Sequence, residues 1–101
     1  MDEASEFVQL KLYVSGADPT TQRAISTLDA LAAVLAQRRD RLEVEVIDVL
    51  AAPDRAAADR IWTTPTLLSR TPGLVSRLTG ELPEPSMLAR HLGLAHLLDA
   101  V

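Results

Sequence analysis

Two strand-like apolar runs flanking one long helical stripe constrain this chain's fold more than any other feature. Phe7-Val8-Gln9-Leu10-Lys11-Leu12-Tyr13-Val14 alternates over much of its length and breaks at Ser15-Gly16-Ala17-Asp18-Pro19, which reads as a strand and a turn. Asp18 is placed to cap the helix that follows. Pro19 suits that helix's first position, because the N–H it lacks has no intrahelical partner there. Ala24, Ile25, Leu28, Leu31, Ala32 and Leu35 recur at three- and four-residue spacing and predict a helix of about 18 residues with one apolar face, ended by Arg38-Arg39-Asp40-Arg41. Leu42-Glu43-Val44-Glu45-Val46-Ile47-Asp48-Val49 alternates and then becomes more apolar, the pattern of a strand lying under a crossover helix. Strand, helix and strand at these lengths predict a right-handed βαβ unit with parallel strands.

The rest of the chain reads as shorter elements. Pro53 opens a second helix, expected to run through Arg60 with Ala56, Ala57 and Ile61 as a small apolar side. Thr64-Pro65-Thr66-Leu67-Leu68 starts a strand at its proline, since proline cannot donate inside a ladder; the strand is expected over 66–69. Pro72-Gly73 gives a loose connection into Leu74-Val75-Ser76-Arg77-Leu78-Thr79, which Gly80 closes. Pro85 begins a last helix, expected over 85–98, with Met87, Leu88, Leu92, Ala95 and Leu98 as its buried stripe and Gly93 as a weak point inside it. The order βαβαββα is the thioredoxin-like arrangement, an α/β domain with a central mixed four-stranded sheet and three helices. A single domain over 1–101 with its core at about 7–98 is expected.

Composition removes several functions. Trp62-Thr63-Thr64-Pro65-Thr66-Leu67 stands where thioredoxin-like proteins carry a cis-proline turn, so Pro65 is expected to be cis, yet the chain has no cysteine. Thiol redox chemistry, disulfides and zinc–thiolate sites are thereby excluded. Ten basic against fourteen acidic residues, a net charge of -4 and no long block of either sign speak against nucleic acid. No apolar run reaches the length of a membrane span, and residues 1–6 lack the pattern of a secretory signal, so a cytoplasmic location is expected.

His91 and His96 do not share a helix face as residues four apart would, and no Glu or Cys completes a metal set. Ser15, His91 and Asp48 lack the G-x-S-x-G turn of a nucleophile, and no phosphate-binding glycine loop is present, so no catalytic residue, metal or cofactor is expected. Ser15-Gly16-Ala17-Asp18 reads first as a structural turn and cap, and otherwise as a ligand-facing helix N-terminus. Trp62 reads first as a core anchor and otherwise as an exposed hot spot. Arg55, Asp59, Arg60, Arg70 and Arg77 read as a solvated surface or as a charged recognition rim.

Lys11-Leu12-Tyr13-Val14-Ser15-Gly16, Pro19, Val46-Ile47-Asp48-Val49, Pro53 and Thr64-Pro65-Thr66-Leu67, followed by Gly80 and Leu82, together resemble the KaiB family of circadian clock proteins from about residue 8 to residue 98. The resemblance implies a non-enzymatic clock protein that docks in a thioredoxin-like form on a KaiC-type ring ATPase. It implies KaiA-like or histidine-kinase components as further partners and self-association as a dimer or tetramer. It also implies an alternative ground-state fold in which the second half of the chain rearranges. The sequence differs from the cyanobacterial pattern where Pro72-Gly73-Leu74 stands for a triple proline, where His91-Leu92-Gly93 stands for Gly-Leu-Asp, and where Ser69 stands for a basic residue expected just after the third strand. Helical glycine costs up to about 1 kcal/mol, so His91 favours the thioredoxin-like form. That form is expected to predominate, in a non-cyanobacterial timing or stress-response system. The partner surface it implies comprises Ser15, Gly16, Ala17, Asp18, the exposed side of the first helix, Asp59, Arg60, Trp62, Thr64, Pro65 and Thr66. The alternative is a redox-inactive thioredoxin-like adaptor for an unrelated protein; a glutathione-handling enzyme would need a thiol-binding pocket and turnover.

Overall fold

A computed structural model describes residues 7–37 and 41–94. Strands β1 (Phe7–Val14) and β2 (Arg41–Asp48) run parallel, from Phe7 opposite Arg41 to Val14 opposite Asp48, and helix α1 (Pro19–Ala36) crosses between them. Helix α2 (Pro53–Ala58), strands β3 (Thr66–Thr71) and β4 (Leu74–Thr79) and helix α3 (Pro85–His91) follow. The sheet order is β2-β1-β3-β4, with β3 antiparallel to both of its neighbours. This is the thioredoxin-like α/β arrangement expected from the sequence.

Strand alternation sends Val8, Leu10, Leu12 and Val14 to one face of the sheet. There they meet Ala24, Leu28, Leu31 and Leu35 of α1 and Leu88 and Ala89 of α3 in the main core. Each such leucine contributes about 2 kcal/mol by burial. Tyr13 points to the opposite face and forms a smaller cluster with Ile47 of β2 and Ala56 of α2. The second face is therefore thinly covered, and polar side chains occupy much of the rest of it.

Several elements differ from the sequence reading. β2 is an edge strand, so Val44 and Val46 stand about two-fifths exposed instead of lying under α1. β3 continues to Thr71, and Pro72-Gly73 forms a tight two-residue turn, with Thr71 paired to Leu74, where a loose connection was expected. α2 stops at Ala58, short of Arg60, and its Ala57 faces solvent. Met87 is exposed, because α3 turns Leu88 and Ala89 inward instead. Ala95, His96 and Leu98 lie outside the described residues. Among the described residues, no helix is long and apolar enough to cross a membrane.

Gly93 terminates α3 and is not a weak point within it. The Leu94 N–H donates to the Ala89 carbonyl at 2.8 Å and the Gly93 N–H to the Arg90 carbonyl at 3.1 Å, a Schellman closure that requires a left-handed residue; Gly93 has φ 74°. A Cβ there would also lie 2.7 Å from Leu74 Cδ2, a flexible and partly exposed atom able to yield. Gly93→Ala is expected to cost about 1–2 kcal/mol, chiefly through backbone strain. At about 4–8 °C per kcal/mol for a domain of this size, a thermal melt resolves it; an unchanged midpoint would contradict the assignment.

Candidate functional site

The sheet topology gathers four loops at one edge: residues 15–18 after β1, 49–52 after β2, 61–65 before β3 and 80–82 after β4. Backbone bonds fasten them together. The Val49 N–H donates to the Val14 carbonyl at 2.8 Å, and the Gly80 N–H to the Pro65 carbonyl at 2.8 Å. One Asp48 carboxylate oxygen accepts from the Gly16 N–H at 3.3 Å and the Leu50 N–H at 2.9 Å. Gly16 takes φ 73°, a conformation suited to glycine, in the turn that brings its amide to Asp48.

At the start of α1 the Thr21 N–H donates to Asp18 Oδ1 at 2.9 Å, and the hydrogen bonds with Thr21 hold the Asp18 carboxyl below the usual range. Its negative charge occupies the helix N-terminus, so the structural cap is the observed arrangement and an anion is not invited there. Ala17 and Asp18 are exposed and Ser15 half-buried at the same edge.

The segment before β3 divides its side chains between interior and solvent. The Thr64–Pro65 peptide bond is cis. Pro65 and Thr66 are buried, and the Thr66 hydroxyl donates to the Thr63 carbonyl at 2.7 Å. These two residues shape the edge from beneath; Thr64 is half-buried. Trp62 is 86% exposed, which overturns the core-anchor reading. Its neighbour Ile61 takes the inward place, packing against the Tyr13–Ile47–Ala56 cluster. Leu50, 72% exposed, is a second large apolar side chain on the loops of this edge.

Asp59 lies inward of this rim. Its carboxylate accepts from the Tyr13 hydroxyl and from Lys11 Nζ at 3.3 Å, and Arg70 Nη2 stands 3.5 Å away. Burial alone would push its carboxyl up, but the bonds from Tyr13 and Lys11 and the charges of Lys11 and Arg70 hold it below the usual range. Burial, followed by the hydrogen bond to Asp59, pushes the Tyr13 hydroxyl up to about 12. Arg55 forks onto Glu45, with Nη2 to Oε1 at 2.8 Å. Arg77 donates to the Arg60 carbonyl at 2.9 Å and the Asp59 carbonyl at 2.7 Å. The expected arginine rim is thus mostly engaged in internal bonds. The Arg60 side chain is exposed, and no ion pair joins it to another described residue.

The roles of Lys11 and Tyr13 escaped the sequence reading, since nothing local links them to Asp59. His91 is exposed at the end of α3, and Pro72, Gly73 and Gly93 mark turns away from the loop edge. A hollow of about 80 Å³ lies among Thr20, Arg23, Ala24, Thr27, Pro65, Glu81 and Leu82. That is well below the roughly 300 Å³ at which small-molecule sites begin. Among the described residues no group of three or more acidic, histidine or cysteine side chains is placed to hold a metal.

The fold and its cysteine-free loop edge define a thioredoxin-like domain without thiol chemistry. The model of the KaiB domain matches residues 11–93, and the chain belongs to the KaiB family of circadian clock proteins. It is 38% identical over 92 residues to the circadian clock oscillator protein KaiB of Prochlorococcus marinus strain MIT 9313, a match covering 91% of this chain and 74% of the relative. It is 33% identical over 75 residues to circadian clock protein KaiB3 of Synechocystis, covering 74% of this chain and 72% of that one. Among solved structures, the N-terminal domain of Synechococcus elongatus SasA superposes with a TM-score of 0.70 at 22% identity, over 100% of this chain and 94% of that domain. Chloroplastic thioredoxin z gives a TM-score of 0.71 at 20% identity, over 89% of this chain and 79% of that one. At these identities the structural likenesses establish the fold alone.

Proposed function

We propose that this chain is a non-enzymatic clock component, one domain over 1–101, that docks on a KaiC-type ring ATPase in the cytoplasm through its loop edge. The observation that carries this reading is Trp62, a large aromatic held outward immediately after Ile61, which packs inward. Membership of the KaiB family supplies the class of partner. KaiA-like or histidine-kinase components of a timing or stress-response system are the further partners in this reading, and self-association belongs to it as well.

The docking surface comprises Ser15, Gly16, Ala17, Asp18, Arg60, Trp62 and Thr64, with Asp59, Pro65 and Thr66 supporting it from within. Arg60→Glu is expected to weaken binding to the KaiC-type ATPase of the same genome by about tenfold, the usual scale for reversing a charge at an interface rim. Titration of the purified partners measures it. Equal affinity for both chains would remove Arg60 from the surface, and no binding by the unaltered chain would favour an adaptor for an unrelated protein.

A further inference from the structure

Arg60 follows the last turn of α2 with φ 57°, a left-handed conformation that residues bearing a Cβ rarely adopt. The turn has the same form as the one at Gly93: the Ile61 N–H donates to the Ala56 carbonyl at 2.9 Å and the Arg60 N–H to the Ala57 carbonyl at 3.1 Å. Glycine is the usual residue at that position, and α2 has only six residues with which to stabilise it. Support comes from β4 instead. The two terminal nitrogens of the Arg77 guanidinium donate to the consecutive carbonyls of Asp59 and Arg60, across 18 and 17 residues of sequence. A planar fork suits two neighbouring acceptors in a way that a lysine ammonium does not. The Asp59 side chain is fixed in turn by Lys11 and Tyr13 of β1 and Arg70 of β3. Just beyond this clamp the chain turns Ile61 inward and leaves Trp62 in solvent.

We propose that Arg77 is a positioning residue for the recognition loop at residues 60–64, its guanidinium holding the left-handed turn from which Trp62 projects. The consequence for binding rests on the docking reading above; the hold on the turn does not depend on it.

Arg77→Lys keeps the charge and removes the fork, while Arg60→Gly supplies a residue for which the turn is unstrained and so makes Arg77 dispensable. Three readouts apply to these two variants and their combination. The intraresidue HN–Hα NOE of Arg60, compared between the unaltered chain and Arg77→Lys, reports positive φ. Quenching of Trp62 emission is specific because the chain has one tryptophan. Affinity for the KaiC-type ATPase reports docking, and a thermal melt confirms that each variant is folded. Arg77→Lys is expected to weaken the NOE, change the quenching and lower affinity about tenfold, but to lower affinity less than about twofold when added to Arg60→Gly. An unchanged NOE in Arg77→Lys, or an equal loss of affinity in both backgrounds, would overturn the proposal. A weakened NOE with no ATPase binding by any variant would uphold Arg77's hold on the turn and overturn the docking reading.

Discussion

Asp59→Ala is expected to cost on the order of 3 kcal/mol of folding stability, the scale of removing one partner from a buried, charge-assisted network. The Asp59 side chain is 13% exposed and that of Lys11 16%, so the substitution leaves an ammonium with little water to replace its carboxylate. Tyr13 keeps only a longer bond to the Arg55 carbonyl, at 3.4 Å. Arg70, 41% exposed, is easily rehydrated and adds little to the loss. Against a typical total of about 5–15 kcal/mol this is a large fraction, and urea and thermal melts measure it directly. A loss below about 1 kcal/mol would mean that the network is no stronger than a surface ion pair.

The same network fixes the pH dependence. The folded Asp59 carboxyl titrates below its ordinary value of 3.8, so its contribution is present above that pH and is lost as pH falls through the lowered folded value. Tyr13 titrates above its ordinary 10.0, at about 12, so its contribution is present below pH 10 and disappears as pH rises towards 12. Asp59→Asn should flatten the acid limb of the stability profile, and Tyr13→Phe the alkaline limb. Profiles parallel to the unaltered chain's would contradict the assignment.

Trp62→Ala is expected to weaken docking on the KaiC-type ATPase by about 30-fold or more, the effect of truncating an interface hot spot, while changing stability by less than about 0.5 kcal/mol. The contrast follows from position. At 86% exposure Trp62 has little packing to lose in the free chain, whereas a partner covering the loop edge would bury most of a large aromatic surface. Titration of the ATPase with both chains, beside their melts, separates the two effects. A variant that binds normally would move the contact away from residues 60–64, and one that melts much earlier would make Trp62 a structural residue after all.

What the sequence revealed depended on how local the determining chemistry was. The start and length of α1 were legible because the Asp18 cap, Pro19 and a continuous apolar stripe lie within the helix and its first turn. β1 and the βαβ crossover were legible for the same reason. The end of α2 was not, because Arg60 is held left-handed by Arg77, 17 residues further on. Trp62 was misjudged because only one neighbour could enter the small cluster under α2, and the less bulky Ile61 fills it. Gly93 read as an interior helix residue because glycine marks both weak helix interiors and helix ends, and backbone φ distinguishes them. Asp59 was singled out as a surface charge; its three partners, from two strands, converge only when the sheet forms.

Amide spectra of isotope-labelled chain, recorded with and without the KaiC-type ATPase of the same genome, decide whether the protein docks through its loop edge. Broadening or shifts are expected to concentrate at residues 15–18 and 60–64, with strand shifts at 66–71 and 74–79 already present in the free chain. Spectra unchanged by the ATPase, or perturbations confined to the far end of the sheet, would contradict docking there.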